Sequence, residues 1–223
     1  MRTKTLLIAA AALAATVISS QAQVYSGVVG YVNIVSPAGH YIAVANPLDL
    51  DGIDNVTNVL ANAPKGTVVQ IWNGAGYNLV SRATLGAGLW SASAATNFIP
   101  PGVGFFINTP SDFTNTYVGS VLPGTYPGTN TFALTAGKYA FVGSLLPISG
   151  TLTNAVDQGP DALNLGSVLP KGTVLQIWNG NGFTLVSRAT LGAGNWSSNA
   201  TINVGQAFFV NSPASTNWVQ SLQ

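Results

Sequence analysis

The chain repeats itself. Residues 64–91, PKGTVVQIWNGAGYNLVSRATLGAGLWS, return at 170–197 as PKGTVLQIWNGNGFTLVSRATLGAGNWS, with five differences in 28 positions. The flanks align as well: Ala38-Gly39-His40-Tyr41 with Ala136-Gly137-Lys138-Tyr139, Phe105-Phe106-Ile107-Asn108 with Phe208-Phe209-Val210-Asn211, and Tyr117 with Trp218. A period of about 100 residues is far longer than one solenoid unit, so each copy is expected to be a domain with its own core. The turn-rich LPGTYPG at 122–128 sets the boundary, giving domains 24–124 and 125–223.

Within each copy the local pattern is β. Thr67–Trp72 and Tyr77–Ser81 are runs of β-branched and aromatic residues separated by Asn73-Gly74, a pair suited to positive φ, and Thr173–Trp178 with Phe183–Ser187 repeats the hairpin across Asn179-Gly180. Further strands are expected at Gly30–Ser36, Tyr41–Ala45, Gly104–Asn108 and Thr116–Val121, with counterparts in the second copy. Short helices are expected only at Asn55–Leu60 and Pro160–Leu163. The fold class is therefore all-β, two tandem antiparallel domains of sandwich or barrel type.

The N-terminus reads as an export signal. Arg2 and Lys4 precede the apolar run Leu6–Ile18, and Ser20-Gln21-Ala22 offers a cleavage site, so residues 1–22 are expected to be removed, leaving 201. That run is too short to span a bilayer as an anchor, and strands this short do not suit an outer-membrane barrel. The expected location is outside the inner membrane: periplasm, cell surface or extracellular space, without membrane insertion after cleavage.

Composition narrows the chemistry. Beyond the signal the chain has five Lys or Arg and six Asp, for a net charge of −1 with His40 neutral, and it has no Glu and no Cys. Nucleic-acid binding needs clustered cations, which are missing. Disulfides and thiolate chemistry are excluded. Catalysis by titratable groups needs paired partners, but His40 faces Lys138 in the alignment and no Asp has an Asp at its equivalent position. A non-enzymatic protein is expected, with no resident cofactor.

Three groups of residues are candidate sites. Asp49, Asp51 and Asp54 place three carboxylates within six residues, a Ca²⁺ site if they converge and a solvated loop if they do not. Arg82 and Arg188 recur at matching positions and suit an anionic or glycan contact, or else tie down loop carbonyls. Trp72 with Tyr77, and Trp178 with Phe183, flank the hairpin turns, where rings could stack on sugars. The two tryptophans are expected to be partly buried.

The order of elements VYSGVVGYVNIVSPAGHYIAVANPL, GTVVQIWNGAGY and PPGVGFFINTP resembles a group of functionally uncharacterised secreted all-β repeat proteins of environmental Gram-negative bacteria, and more loosely extracellular modules of surface proteins. The resemblance covers nearly all of the mature chain and implies no activity. The second copy departs from it, with Gly143-Ser144-Leu145-Leu146 for Ala45-Asn46-Pro47-Leu48 and Gly205-Gln206-Ala207 for Gly102-Val103-Gly104. Sequence alone thus points to an extracellular structural or adhesion protein that associates with itself, a glycan or another protein. The alternative is a tandem carbohydrate-binding module.

Overall fold

The computed structural model describes residues 29–122 and 128–223; the expected signal at 1–22 and the expected junction at 124/125 lie outside them. The first copy contributes β1 (Val29–Ser36), β2 (Tyr41–Ala45), β3 (Val68–Trp72), β4 (Tyr77–Ser81), β5 (Gly104–Asn108) and β6 (Phe113–Ser120). The second contributes β7 (Gly128–Leu134), β8 (Tyr139–Val142), β9 (Gly150–Thr151), β10 (Val174–Trp178), β11 (Phe183–Ser187), β12 (Thr201–Ile202), β13 (Phe208–Asn211) and β14 (Thr216–Leu222). Each copy builds the same two layers. One is an antiparallel sheet ordered β4-β3-β5-β2 or β11-β10-β13-β8, and the other is a ribbon, β1-β6 or β7-β14. The result is sandwich-like, and among the described residues no barrel closes.

The hairpins form for the reason their sequence suggests. At each turn one Asn closes the loop: Asn73 N–H donates to Gly76 O at 3.0 Å while its side-chain Oδ1 accepts from Ala75 and Gly76 N–H. Gly74 takes the positive φ of +94° that the turn requires. Asn179 makes the same three bonds with Asn181 and Gly182.

Period-two alternation then decides what each face meets. Val69 and Ile71 of β3, Val80 of β4, and Phe105 and Ile107 of β5 point into the first core with Val44 and the ribbon residue Tyr117. Leu175, Ile177, Val186, Phe208, Val210 and Trp218 do the same in the second. The first core is not self-sufficient, because Leu146 of the second copy is buried in it.

Two differences from the sequence reading concern connections. The first helix is Val56–Val59, capped by the Asn55 side chain accepting from Asn58 N–H. The helix expected at Pro160–Leu163 is absent, since Asp161 and Asn164 adopt φ of +55° and +50°, which breaks a helix; a 3-10 turn at Ala155–Asp157 takes its place. Among the described residues no helix is long and apolar enough to cross a membrane.

Phe105 and Phe208 occupy equivalent, fully buried core positions. Phe105→Ala or Phe208→Ala is expected to cost about 3–5 kcal/mol in chemical denaturation, the range for emptying a packed aromatic site.

Candidate functional site

The second face of each four-stranded sheet carries the residues that the cores leave out: Tyr41, Ala43, Gln70, Trp72 and Phe106 in the first copy, Tyr139, Phe141, Gln176, Trp178 and Phe209 in the second. These two faces meet. Ala45, Phe106, Phe141, Ala207 and Phe209 form a buried cluster of their own, with Tyr41, Ala43, Trp72 and Trp178 packed around it. This explains why β5 reads GFFIN and β13 FFVN, apolar at successive positions: both strands are covered on both sides.

The contact is pseudo-two-fold, and several of its interactions come in answering pairs. Trp72 Nε1 donates to Tyr139 O at 3.0 Å and Trp178 Nε1 donates to Tyr41 O at 2.8 Å. The Trp72 ring stands edge-on to Phe209 at 5.3 Å, and Trp178 to Phe106 at 5.4 Å. Ala45 N–H donates to Gly205 O and Gly143 N–H to Gly102 O, both at 2.9 Å. On the axis, Phe141 lies stacked between Phe106 and Phe209, with centroids 4.8 and 4.3 Å away.

Beside this seam lie two matching troughs. One, of about 190 Å³, is lined by Tyr41, Gln70, Tyr77, Phe106, Trp178 and Phe183. The other, of about 260 Å³, is lined by Trp72, Tyr77, Tyr139, Gln176, Phe183 and Phe209. In each a glutamine amide donates to a tyrosine hydroxyl at 3.0 Å, Gln70 to Tyr41 and Gln176 to Tyr139. Partial burial raises the Tyr77 phenol above its ordinary value, so it stays a neutral donor and acceptor. Tyr77 and Phe183 border both troughs, which puts Trp72, Tyr77, Trp178 and Phe183 in one place. Both tryptophans are half-buried, as their sequence setting suggests, and their indole N–H groups are bonded to the opposite copy.

The arginines go elsewhere. Arg82 donates from Nε to Gly88 O at 2.7 Å and from its guanidinium to Ala61 O and Ala63 O, with Trp90 stacked 5.9 Å away. Arg188 repeats this with Gly194 O, Leu169 O and Trp196, and also borders a separate hollow beside Trp196. Lys65 and Lys171 donate to Gly86 O and Gly192 O, each at 2.6 Å. These four cations tie the ATLGAG loops to the segments that lead into β3 and β10, and neither arginine lines a trough.

The acidic loop is also occupied with itself. Asp54 is buried, accepting from Asn46 Nδ2 and from Leu50 N–H, each at 3.0 Å, while Asp49 Oδ1 accepts from Gly52 N–H at 3.1 Å. Asp51 is exposed with a φ of +51°. Among the described residues no three His, Cys, Asp or Glu side chains converge as a metal site, so the structure does not gather Asp49, Asp51 and Asp54 into one ligand set. Desolvation and a hydrogen bond with the Asp49 carboxyl push Asp54 up to about 6. His40 is exposed in a turn.

Sequence reading does not single out Tyr41, Gln70, Phe106 or their counterparts. The usable signal is the double-sided apolar pattern of β5 and β13, which marks a second buried face.

Two outcomes follow from these placements. Arg82→Ala is expected to lose about 1–3 kcal/mol through its orphaned loop carbonyls, and Arg82→Lys should not restore it, since lysine lacks the fork that reaches several carbonyls at once. Because Asp54 is raised above its unfolded value, its contribution to stability is full below the ordinary carboxylate range and is lost as pH rises through about 6. Thermal melts of Asp54→Asn should lack that decline, and equal pH profiles for the two proteins would contradict the assignment. Comparison with protein-family models, curated proteins and solved structures gives no match, so the geometry alone carries the functional reading.

Proposed function

We propose that this is a non-enzymatic structural or adhesion protein, exported beyond the inner membrane, that works by protein contact and self-association. The observation that carries this reading is an exposed apolar row crossing the seam between the copies. Tyr77 and Leu79 project from one face of β4 at 41% and 61% exposure, and Phe183 and Leu185 project from β11 at 38% and 64%. β4 and β11 are both terminal strands of their sheets, with outer edges that the following loops bond at Ser81 and Ser187, through Ser91 and Ser197. A water-facing row of this kind on a folded chain marks a contact surface.

Charge supports the same reading. Five Lys or Arg against six Asp give the mature chain a net charge of −1, which leaves little to keep like molecules apart. Light scattering of the mature protein is expected to give a mass that rises with concentration. Leu79→Ser/Leu185→Ser should remain at the mass of one chain. A wild-type mass that stays at one chain at the highest attainable concentration would reject self-association.

The troughs favour a second reading, a glycan contact in which Tyr77 and Phe183 stack on sugar rings and Gln70 and Gln176 offer amides. In that case polysaccharide should quench the fluorescence of the neighbouring Trp72 and Trp178, and Tyr77→Ala/Phe183→Ala should abolish the quench without moving the melting curve. No spectral response across a glycan panel would remove it.

A further inference from the structure

Most of the residues that meet at the seam are the same in both copies, Tyr41 and Tyr139, Trp72 and Trp178, Phe106 and Phe209, but a few are not. Three aligned positions in the seam are unequal: Ala43 against Phe141, Ala45 against Gly143, and Gly104 against Ala207. Each inequality is needed for the contact as it stands. A Cβ on Gly143 would lie 2.3 Å from Ala45 Cβ, so the small residue on one side makes room for the larger on the other. A Cβ on Gly104 would lie 2.9 Å from the backbone carbonyl and ring Cγ of Phe141, so the ring is tolerated only over glycine. On the mirrored side, Ala207 stands opposite Ala43, which has no ring, and its N–H donates to Ala43 O at 3.2 Å. Only Phe141 fills the slot between Phe106 and Phe209.

Like pairing fails on the same positions. Two first copies would bring Ala45 against Ala45 at the separation just excluded and would leave the slot between the two Phe106 rings empty. Two second copies would bring Ala207 under Phe141 and two Phe141 rings to one slot. The Ala45 against Ala45 and Ala207 against Phe141 collisions involve Cβ and backbone atoms, which a rotamer change cannot relieve.

We propose that the seam is a heterotypic lock: the face of the first copy accepts the face of the second and rejects another of its own kind. Its fitting partner is therefore the opposite half of this chain, from the same molecule or from a second one. The inference does not rest on the apolar row or on the proposed function.

The test uses full-length mature chains carrying Leu79→Ser/Leu185→Ser, which silences the row. One chain also carries Gly143→Phe, blocking its second-copy face, and the other carries Ala45→Phe, blocking its first-copy face. Ala45 lies in the seam cluster and Gly143 against it, both outside the two domain cores, and neither site has a positive φ. Each protein alone should have the mass of one chain in native mass spectrometry. An equimolar mixture should give a species of twice that mass, containing one of each. A like-with-like dimer of either protein, or a mixture that stays monomeric while both proteins are folded by circular dichroism, would overturn the lock.

Should either blocked chain fail to fold, the ring can be moved across the axis instead. Phe141→Ala should lower the melting temperature, Ala43→Phe/Phe141→Ala should recover little of the loss because Ala207 obstructs the ring, and adding Ala207→Gly should recover more than half. Equal melting temperatures for the double and triple variants would overturn the proposal.

Discussion

The stack of Phe106, Phe141 and Phe209 on the pseudo-two-fold axis is the contact on which the arrangement of this molecule depends. Each copy could bury one face of its four-stranded sheet under its own ribbon, but the other face carries Phe106 or Phe209 with a tyrosine and a tryptophan. In water that face would expose several large rings, at a cost of about 1.5–3 kcal/mol for each large side chain left uncovered. Laying one sheet face on the other covers them. The reciprocal bonds from Trp72 and Trp178 then satisfy the indole N–H groups and fix the angle at which the sheets meet.

The seam also sets what remains outside. With the β5 and β13 faces buried, the outer strands β4 and β11 keep Tyr77, Leu79, Phe183 and Leu185 at the surface, and Tyr77 and Phe183 are drawn together from opposite copies to border both troughs. Several residues that look chemical in the sequence are held by the fold: Arg82, Arg188, Lys65 and Lys171 brace loops, and Asp54 anchors the turn after Leu48. The exposed surface is left largely to amides, hydroxyls and hydrocarbon.

Much of this is legible in the sequence, and the reason differs by element. The hairpins at 73–76 and 179–182 follow from local turn chemistry, so Asn-Gly between alternating runs identifies them without tertiary information. Strand positions follow from period two, since one face of each strand is core whatever the other meets. The half-burial of Trp72 and Trp178 is also readable, because they end core strands beside exposed turns. Their partners are not, as Tyr139 O and Tyr41 O lie 67 and 137 residues away in the chain. The helix expected at 160–163 fails because apolar content there signals burial while the left-handed residues Asp161 and Asn164 set the path. Arg82 and Arg188 illustrate a further limit, since duplicated residues look equally important whether they bind a ligand or a loop.

Hydrogen exchange of the five tryptophan indole N–H groups, followed by NMR, tests the central claim most directly. Trp72 and Trp178 are half-exposed as side chains, yet their N–H groups are bonded across the seam at 3.0 and 2.8 Å. The account predicts that both exchange slowly, at a common rate set by opening of the seam, and that Phe141→Ala accelerates both together while leaving the core Trp218 protected. Fast, independent exchange at Trp72 and Trp178 in the wild-type protein would show that the two sheet faces do not meet in this way.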